Sequence, residues 1–320
     1  MSVTAGSTDT PSNMPVQPAE RIQVIDVLRG FALLGILLVN MDFFSNPVQL
    51  NVFPLDDTIT GINRAAAWLV HFVAETKFYS LFSFLFGLGF ALQLVRADKQ
   101  EAPWGSLYLR RLSVLLCIGL IHAFFIWVGD ILTLYALLGF LLVLYRKTKP
   151  GRLLIWGVIF LALPILFQLF SAIAVELGRS AGPEAEVQMQ QFFTEQRSAY
   201  RADVERAYHV YANSDFIGIT RQRAYDMSFI AVGTPFFLAP GVFGMFLIGL
   251  YFGRRQLLRE IDEHLAFFRK LLWWGLVIGL IGNFIYASWI PRPVHPDHLP
   301  HLIPRLAAEV RIEYLRQHKH

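Results

Sequence analysis

The sequence predicts an all-α fold, a polytopic transmembrane helix bundle of about seven spans with its N-terminus in the cytoplasm. Three observations carry that expectation. The first is composition: 55% of the 320 residues are hydrophobic and only 16% charged, with a mean hydropathy of +0.46. Soluble domains carry about 25% charged residues. The second is continuity, since apolar segments recur from residue 22 to 289 with no soluble domain between them. The third is the placement of the cations. The links 96–111, 146–152 and 253–270 carry four, four and five Lys and Arg residues, while 45–63 has none but holds Asp56 and Asp57. That alternation follows the positive-inside rule.

Taken in order, the first twenty residues are rich in Ser, Thr, Pro and Asn and read as a disordered tail, 1–20. They lack the basic start, apolar core and small-residue cleavage site of a signal peptide. The transmembrane domain runs over 21–290, with spans expected at 24–45, 77–96, 111–128, 130–146, 153–175, 229–252 and 270–289. On span one, Asp26, Arg29 and Asn40 fall within an arc of about 80°, so one side of that helix is polar at both ends. Asp26 and Arg29, three residues apart, are placed to pair.

Residues 62–74 read as a short amphipathic helix at the outer surface, with Trp68 and His71 suited to an interface. Lys77 opens span two, where Gly87-Leu88-Gly89 permits close helix approach. The polar insert 176–228 lies outside. Its Phe193, Tyr200, Val204, Tyr208 and Tyr211 recur at helical spacing, and eight acidic residues, Asp226 among them, oppose six arginines. This reads as a mixed-charge, solvated helix. The segment 291–320 is an irregular tail rich in Pro, His and Arg.

The most informative stretch is Gly119–Gly139, where two apolar runs meet at Val128-Gly129-Asp130 with almost no room for a loop. His122 lies eleven residues beyond Arg111, roughly 16 Å at helical rise, near the middle of a hydrocarbon core about 30 Å thick. An imidazole is costly there and marks a functional or helix-pairing position. Asp130 lies eight residues on, about 80° round the helix if it continues that far, and spacing alone does not decide whether the two face one cavity.

Other chemistries are poorly served. The single cysteine, Cys117, cannot form an intrachain disulfide or by itself supply a metal site. His295, His298 and His301 are interrupted by prolines, so no metal is expected. The net charge of +4 sits at the ends of apolar runs rather than in a basic block, which argues for a membrane and against nucleic acid.

Several motifs resemble the YeiB-like bacterial inner-membrane family. They are Asp26-Val27-Leu28-Arg29-Gly30-Phe31 with Asn40, Lys77-Phe78 leading to Leu81–Gly87, Gly119-Leu120-Ile121-His122, Gly129-Asp130-Ile131-Leu132, Tyr135–Gly139 and the glycine-rich Met245–Arg254. The resemblance runs over about 21–285 and implies a multi-pass protein of the bacterial cytoplasmic membrane. Through the Asp-x-x-Arg-Gly start of span one, the family is distantly similar to membrane acetyltransferases such as heparan glucosaminide acetyltransferase. Those enzymes pass an acyl group from cytosolic acyl-CoA to a sugar across the membrane. Two departures stand out. Family members continue into further helices after the seventh span, so the tail here reads as that of a truncated or frame-shifted chain. The histidine that the sugar acetyltransferases carry after span one has no counterpart between Asn40 and Arg64.

The enzyme reading makes His122 a general base oriented by Asp130. Asp26, Arg29, Asn40, Lys77 and Tyr135 then form the substrate site, with Asn40 steadying the acyl carbonyl oxygen. Arg110 and Arg111, with Arg29, hold the phosphates of an acyl-CoA donor that is not tightly bound. The acceptor is a small molecule or glycan, and membrane lipids surround the bundle. A transporter of a small solute, ion or lipid head group would use the same polar residues, and a structural membrane subunit is the third class.

Overall fold

In the computed structural model, which describes residues 23–52, 61–99, 104–259 and 261–289, the fold is all-helical: 88% helix, without strands among the described residues. The expected terminal tails, Asp56, Asp57 and the tail histidines lie outside those residues. The helices are α1 (Gln23–Ser45), α2 (Val48–Val52), α3 (Gly61–Val73), α4 (Lys77–Lys99), α5 (Trp104–Ile121), α6 (Leu132–Leu144), α7 (Pro150–Ser180), α8 (Pro183–Asn213), α9 (Phe216–Phe237), α10 (Ala239–Arg254) and α11 (Leu265–Trp289). A π-helical turn, His122–Ile126, closes the end of α5.

Five segments are long and apolar enough to cross a membrane: Gln23–Met41, Ala65–Asp98, Gly105–Ile126, Pro150–Ser180 and Leu265–Ile285. The bent pair α9–α10 makes a sixth. These are the marks of a membrane-embedded protein. Large apolar side chains on α1, α7 and α11 stay exposed, including Phe31, Leu34, Ile165, Phe170, Trp273 and Ile278. In a bilayer such faces need no protein cover.

The count differs from seven at two places. Between residues 130 and 146 the helix covers only Leu132–Leu144, 13 residues, because Trp127 turns extended (φ −159°, ψ 132°). The expected 229–252 span is two helices bent by 55°. Pro240 lies at the start of α10 and cannot donate to the turn before it, so the chain changes direction at Leu238.

The core sits where α10 packs between α4 and α7. A Cβ at Gly87 would lie 2.0 Å from the Phe246 carbonyl oxygen, and one at Gly249 would lie 2.1 Å from the Phe84 carbonyl oxygen. Backbone therefore meets backbone, which only glycine allows. Gly244 and Gly157 repeat the arrangement between α10 and α7, the Gly244 position coming within 2.8 Å of the Gly157 carbonyl oxygen. Around this seam the rings of Phe86 and Phe246 stack at 4.4 Å, and Tyr135 packs edge-on to Phe246 at 5.1 Å. The small residues of the Met245–Arg254 segment thus set the distance between the helices that carry Tyr135's partners.

Helices α3 and α4 join through Thr76, a β-branched residue in the left-handed region (φ 68°). The insert forms α8 and the first half of α9. Asp215 caps α9, accepting from the Gly218 N–H at 2.8 Å.

Candidate functional site

The site grows from the corner that joins α5 to α6. At its end α5 widens into the π-turn, where the Trp127 N–H donates to the His122 carbonyl (2.8 Å). Such turns are rare and concentrate at functional sites. The chain then runs extended through Gly129, whose missing Cβ would lie 2.3 Å from the Trp127 indole. Asp130 follows and caps α6: Leu132 N–H donates to Oδ1 at 3.2 Å and Thr133 N–H to Oδ2 at 2.8 Å. The carboxylate is fully enclosed and meets His122 Nδ1 at 3.1 Å, while the imidazole keeps 28% of its side-chain surface open.

Both carboxylate oxygens already accept backbone N–H bonds. The proton bridging to His122 is therefore assigned to Nδ1, and Nε2 is the nitrogen left able to accept. No described residue engages it. An enclosed acid orienting a partly exposed imidazole is an arrangement that can serve proton transfer. Trp127 stands edge-on to the imidazole (6.2 Å) and is itself covered by Phe44 of α1 (4.5 Å).

The other expected residues divide. Tyr135, a little over one turn beyond Asp130, is buried and hydrogen-bonded to Ser83 Oγ at 2.6 Å, and it donates to the Tyr79 carbonyl at 3.2 Å. It ties α6 to α4. Lys77 Nζ donates to the His71 carbonyl at 3.0 Å, and His71 in turn pairs with Glu75. Asn40 is half-buried on α1. Among the described residues no hydrogen bond links Lys77 or Asn40 to His122. Asp26 and Arg29 pair at 3.5 Å with both side chains about half exposed.

Arg29 and Arg111 do meet a common space. A half-open cavity of about 210 Å³ is lined by Arg29 of α1, Gln93 of α4 and Arg111 of α5, together with Phe82, Phe86 and Leu115. Arg111 donates to Gln93 Oε1 at 2.7 Å. Gly89 leaves room for the Arg29 guanidinium, which comes within 3.1 Å of where its Cβ would be. Arg110 is exposed on α5 and does not line this cavity. Phe82 and Phe86 form part of the cavity wall and also pack on the Tyr135 ring (5.8 and 5.4 Å). Among the described residues no group of three or more His, Cys, Asp or Glu is placed to hold a metal.

Sequence reasoning missed two features. Thr133 Oγ1 is buried beside the corner without a hydrogen-bond partner among the described residues, packed against Gly119. More consequential is Asp226, expected on a solvated face and instead completely buried. Gln49 Nε2 and Gln222 Nε2 donate to its Oδ1 at 2.7 and 2.8 Å, and Tyr211 OH donates to its Oδ2 at 2.7 Å. Burial, then the bond to Asp226 and its charge, push the Tyr211 phenol well above its ordinary pKa. Asp226 therefore knots α2, α8 and α9 together. Its partner Gln49 lies 177 residues away in sequence, beyond the reach of any local pattern.

With this geometry in hand, relatives place the chain. It is 39% identical over 291 residues to YxaH of Bacillus subtilis strain 168, covering 86% of this chain and 68% of that protein. The chain belongs to the YeiB-like family. YeiB of Escherichia coli K12 is 35% identical over 135 residues, 41% of this chain and 32% of its own length. A 39.9 kDa protein from the amylase 3′ region of Bacillus acidopullulyticus is 37% identical over 172 residues, 52% of this chain and 47% of its own length. All three relatives are described as uncharacterized. The chain spans less than half of the length of the latter two. No family model matches the chain, and no solved structure does.

Proposed function

We propose that this family member is an acyltransferase of the bacterial cytoplasmic membrane, moving an acyl group from cytosolic acyl-CoA to an acceptor at the outer face. The observation that carries the reading is the enclosed Asp130 carboxylate holding the Nδ1 side of a partly open His122. In the reaction, an acceptor hydroxyl gives its proton to His122 Nε2 as its oxygen attacks the thioester carbonyl carbon. The C–S bond then breaks, and the thiolate leaves with the proton from the imidazolium. Asp130 stabilises the imidazolium in between.

The donor's phosphates belong with Arg29 and Arg111 at the cavity they share, with Arg110 as an exposed charge nearby in sequence. The donor arm then has roughly 16 Å to cover along α5 from Arg111 to His122, which suits a long flexible pantetheine. Asn40, Lys77 and Tyr135 stand as acceptor-side residues in this proposal. The topology that goes with it has seven spans, the N-terminus inside and the insert outside, so acceptor and donor approach from opposite faces.

Purified protein in lipid vesicles, given acyl-CoA on one face and a panel of hydroxylated acceptors on the other, tests the reading. Transfer should occur and vanish in His122→Gln while CoA binding persists. Undiminished transfer in that variant sinks the mechanism.

The 55° break between α9 and α10 favours a second reading, transport, because discontinuous spans commonly form solute sites. Solute flux in vesicles free of acyl-CoA would select it.

A further inference from the structure

We infer that Arg223, on the outer insert, is a positioning residue for His122. The inference rests on reading His122 and Asp130 as the reactive pair, but it is carried by a separate set of contacts. The π-turn that begins at His122 ends the helix, so the carbonyls near its end have no following turn to receive them. Arg223 Nη1 supplies that partner to the Phe125 carbonyl at 2.8 Å. It reaches across 98 residues of sequence, and its charge makes the bond stronger than a neutral one. Phe216, at the start of the same helix, stacks on the Phe125 ring (6.3 Å between centroids, 14° between planes). The turn carrying His122 is thus gripped at one residue by a cation on its backbone and a ring on its side chain, both from α9.

That grip is only as rigid as α9, and Asp226 supplies the rigidity. It lies three residues beyond Arg223, on nearly the same helix face. It is anchored by Gln49 of α2, Tyr211 of α8 and Gln222 of α9. A buried carboxylate with three donors cannot shift without breaking several bonds at once. The outer insert is therefore part of the apparatus that sets the imidazole against Asp130, rather than a connector between spans.

The test reads His122 itself, whether or not any acyl transfer is detected. Full-length protein labelled with ¹⁵N-histidine in phosphatidylethanolamine/phosphatidylglycerol nanodiscs gives the His122 signal as the one lost in His122→Gln. Wild type should show the Nδ1–H tautomer. Arg223→Gln should lose that one-sided signature, Arg223→Lys should largely restore it, and Arg221→Gln, at an exposed position on the same helix, should leave it unchanged. If Arg223→Gln does not fold, Phe216→Leu removes the stacking ring and should shift the same signal. An unaltered His122 signal in folded Arg223→Gln or Phe216→Leu overturns the inference. So does an equal change in Arg221→Gln. Absence of acyl transfer alongside the expected spectra would remove the proposed activity and leave this coupling standing.

Discussion

The seam between α4, α10 and α7 and the corner between α5, α6 and the 176–228 insert are held by different means. At the seam, glycines bring backbone against backbone, and the space around them is filled by Phe86, Phe246, Phe243 and Leu247. At the corner, rings also pack, Phe216 on Phe125 and Phe44 on Trp127, but polar groups orient the side chains. Asp130 caps a helix, Arg223 receives a stray carbonyl, and Asp226 gathers two amides and a phenol. Packing tolerates no extra atom, but it does not depend on any one charge. A polar knot tolerates changes of shape and fails when one partner is removed. The His122–Asp130 pair lies in the second kind of region, where side chains are oriented as well as packed.

The largest expected effect breaks the seam. Gly249→Val places methyl groups where the Phe84 carbonyl already lies 2.1 Å from the Cβ position. It should cost at least roughly 3 kcal/mol by overpacking and show as loss of the folded, monodisperse protein in detergent. Next, Asp226→Ala strands the amides of Gln49 and Gln222 and the Tyr211 hydroxyl, all of which donate to it. A loss of about 3 kcal/mol is expected, measured by thermal unfolding, with the seam left intact. Asp130→Ala removes a helix cap worth about 1 kcal/mol, yet it should abolish transfer. If activity merely tracks stability in that variant, the corner is structural and the comparison collapses. Tyr135→Phe, losing its bonds to Ser83 and Tyr79, should cost about 1 kcal/mol and leave the stacked rings in place. Smallest of all, Asp26→Asn at a half-exposed pair should change stability by less than about 0.5 kcal/mol.

How much of this could be seen in the sequence follows the same division. One side of the seam was legible, because Gly87-Leu88-Gly89 in an apolar helix reads as a close approach, whereas its partners Gly249, Gly244 and Gly157 were not read that way. The helices were legible by hydropathy, and α3 and the insert by periodicity. The His122–Asp130 pairing was legible as a possibility of spacing, although an uninterrupted helix would set the two about 80° apart. It is the π-turn and the extended Trp127 that bring them to 3.1 Å. The bend at Leu238 and the burial of Asp226 were not legible. Asp226 sits among charged neighbours and looks solvated until Gln49 and Tyr211 fold onto it. Arg29 and Arg111 were expected together and do share a cavity, whereas Lys77 is drawn to His71 by the turn at Thr76.

The brevity of α6 has a consequence for the lipid around it. Thirteen residues reach about 20 Å at helical rise, roughly 10 Å less than an average hydrocarbon layer. Leu137, Leu141 and Leu144 stay exposed along one face of it, a face suited to acyl chains, while Tyr135, Ala136, Gly139 and Leu142 are buried against protein. A short apolar element draws the bilayer thin beside it, at a fraction of a kcal/mol per Å of mismatch. The short helix begins at Leu132, two residues after the Asp130 carboxylate that meets His122, so a mismatch at that end would fall beside this pair.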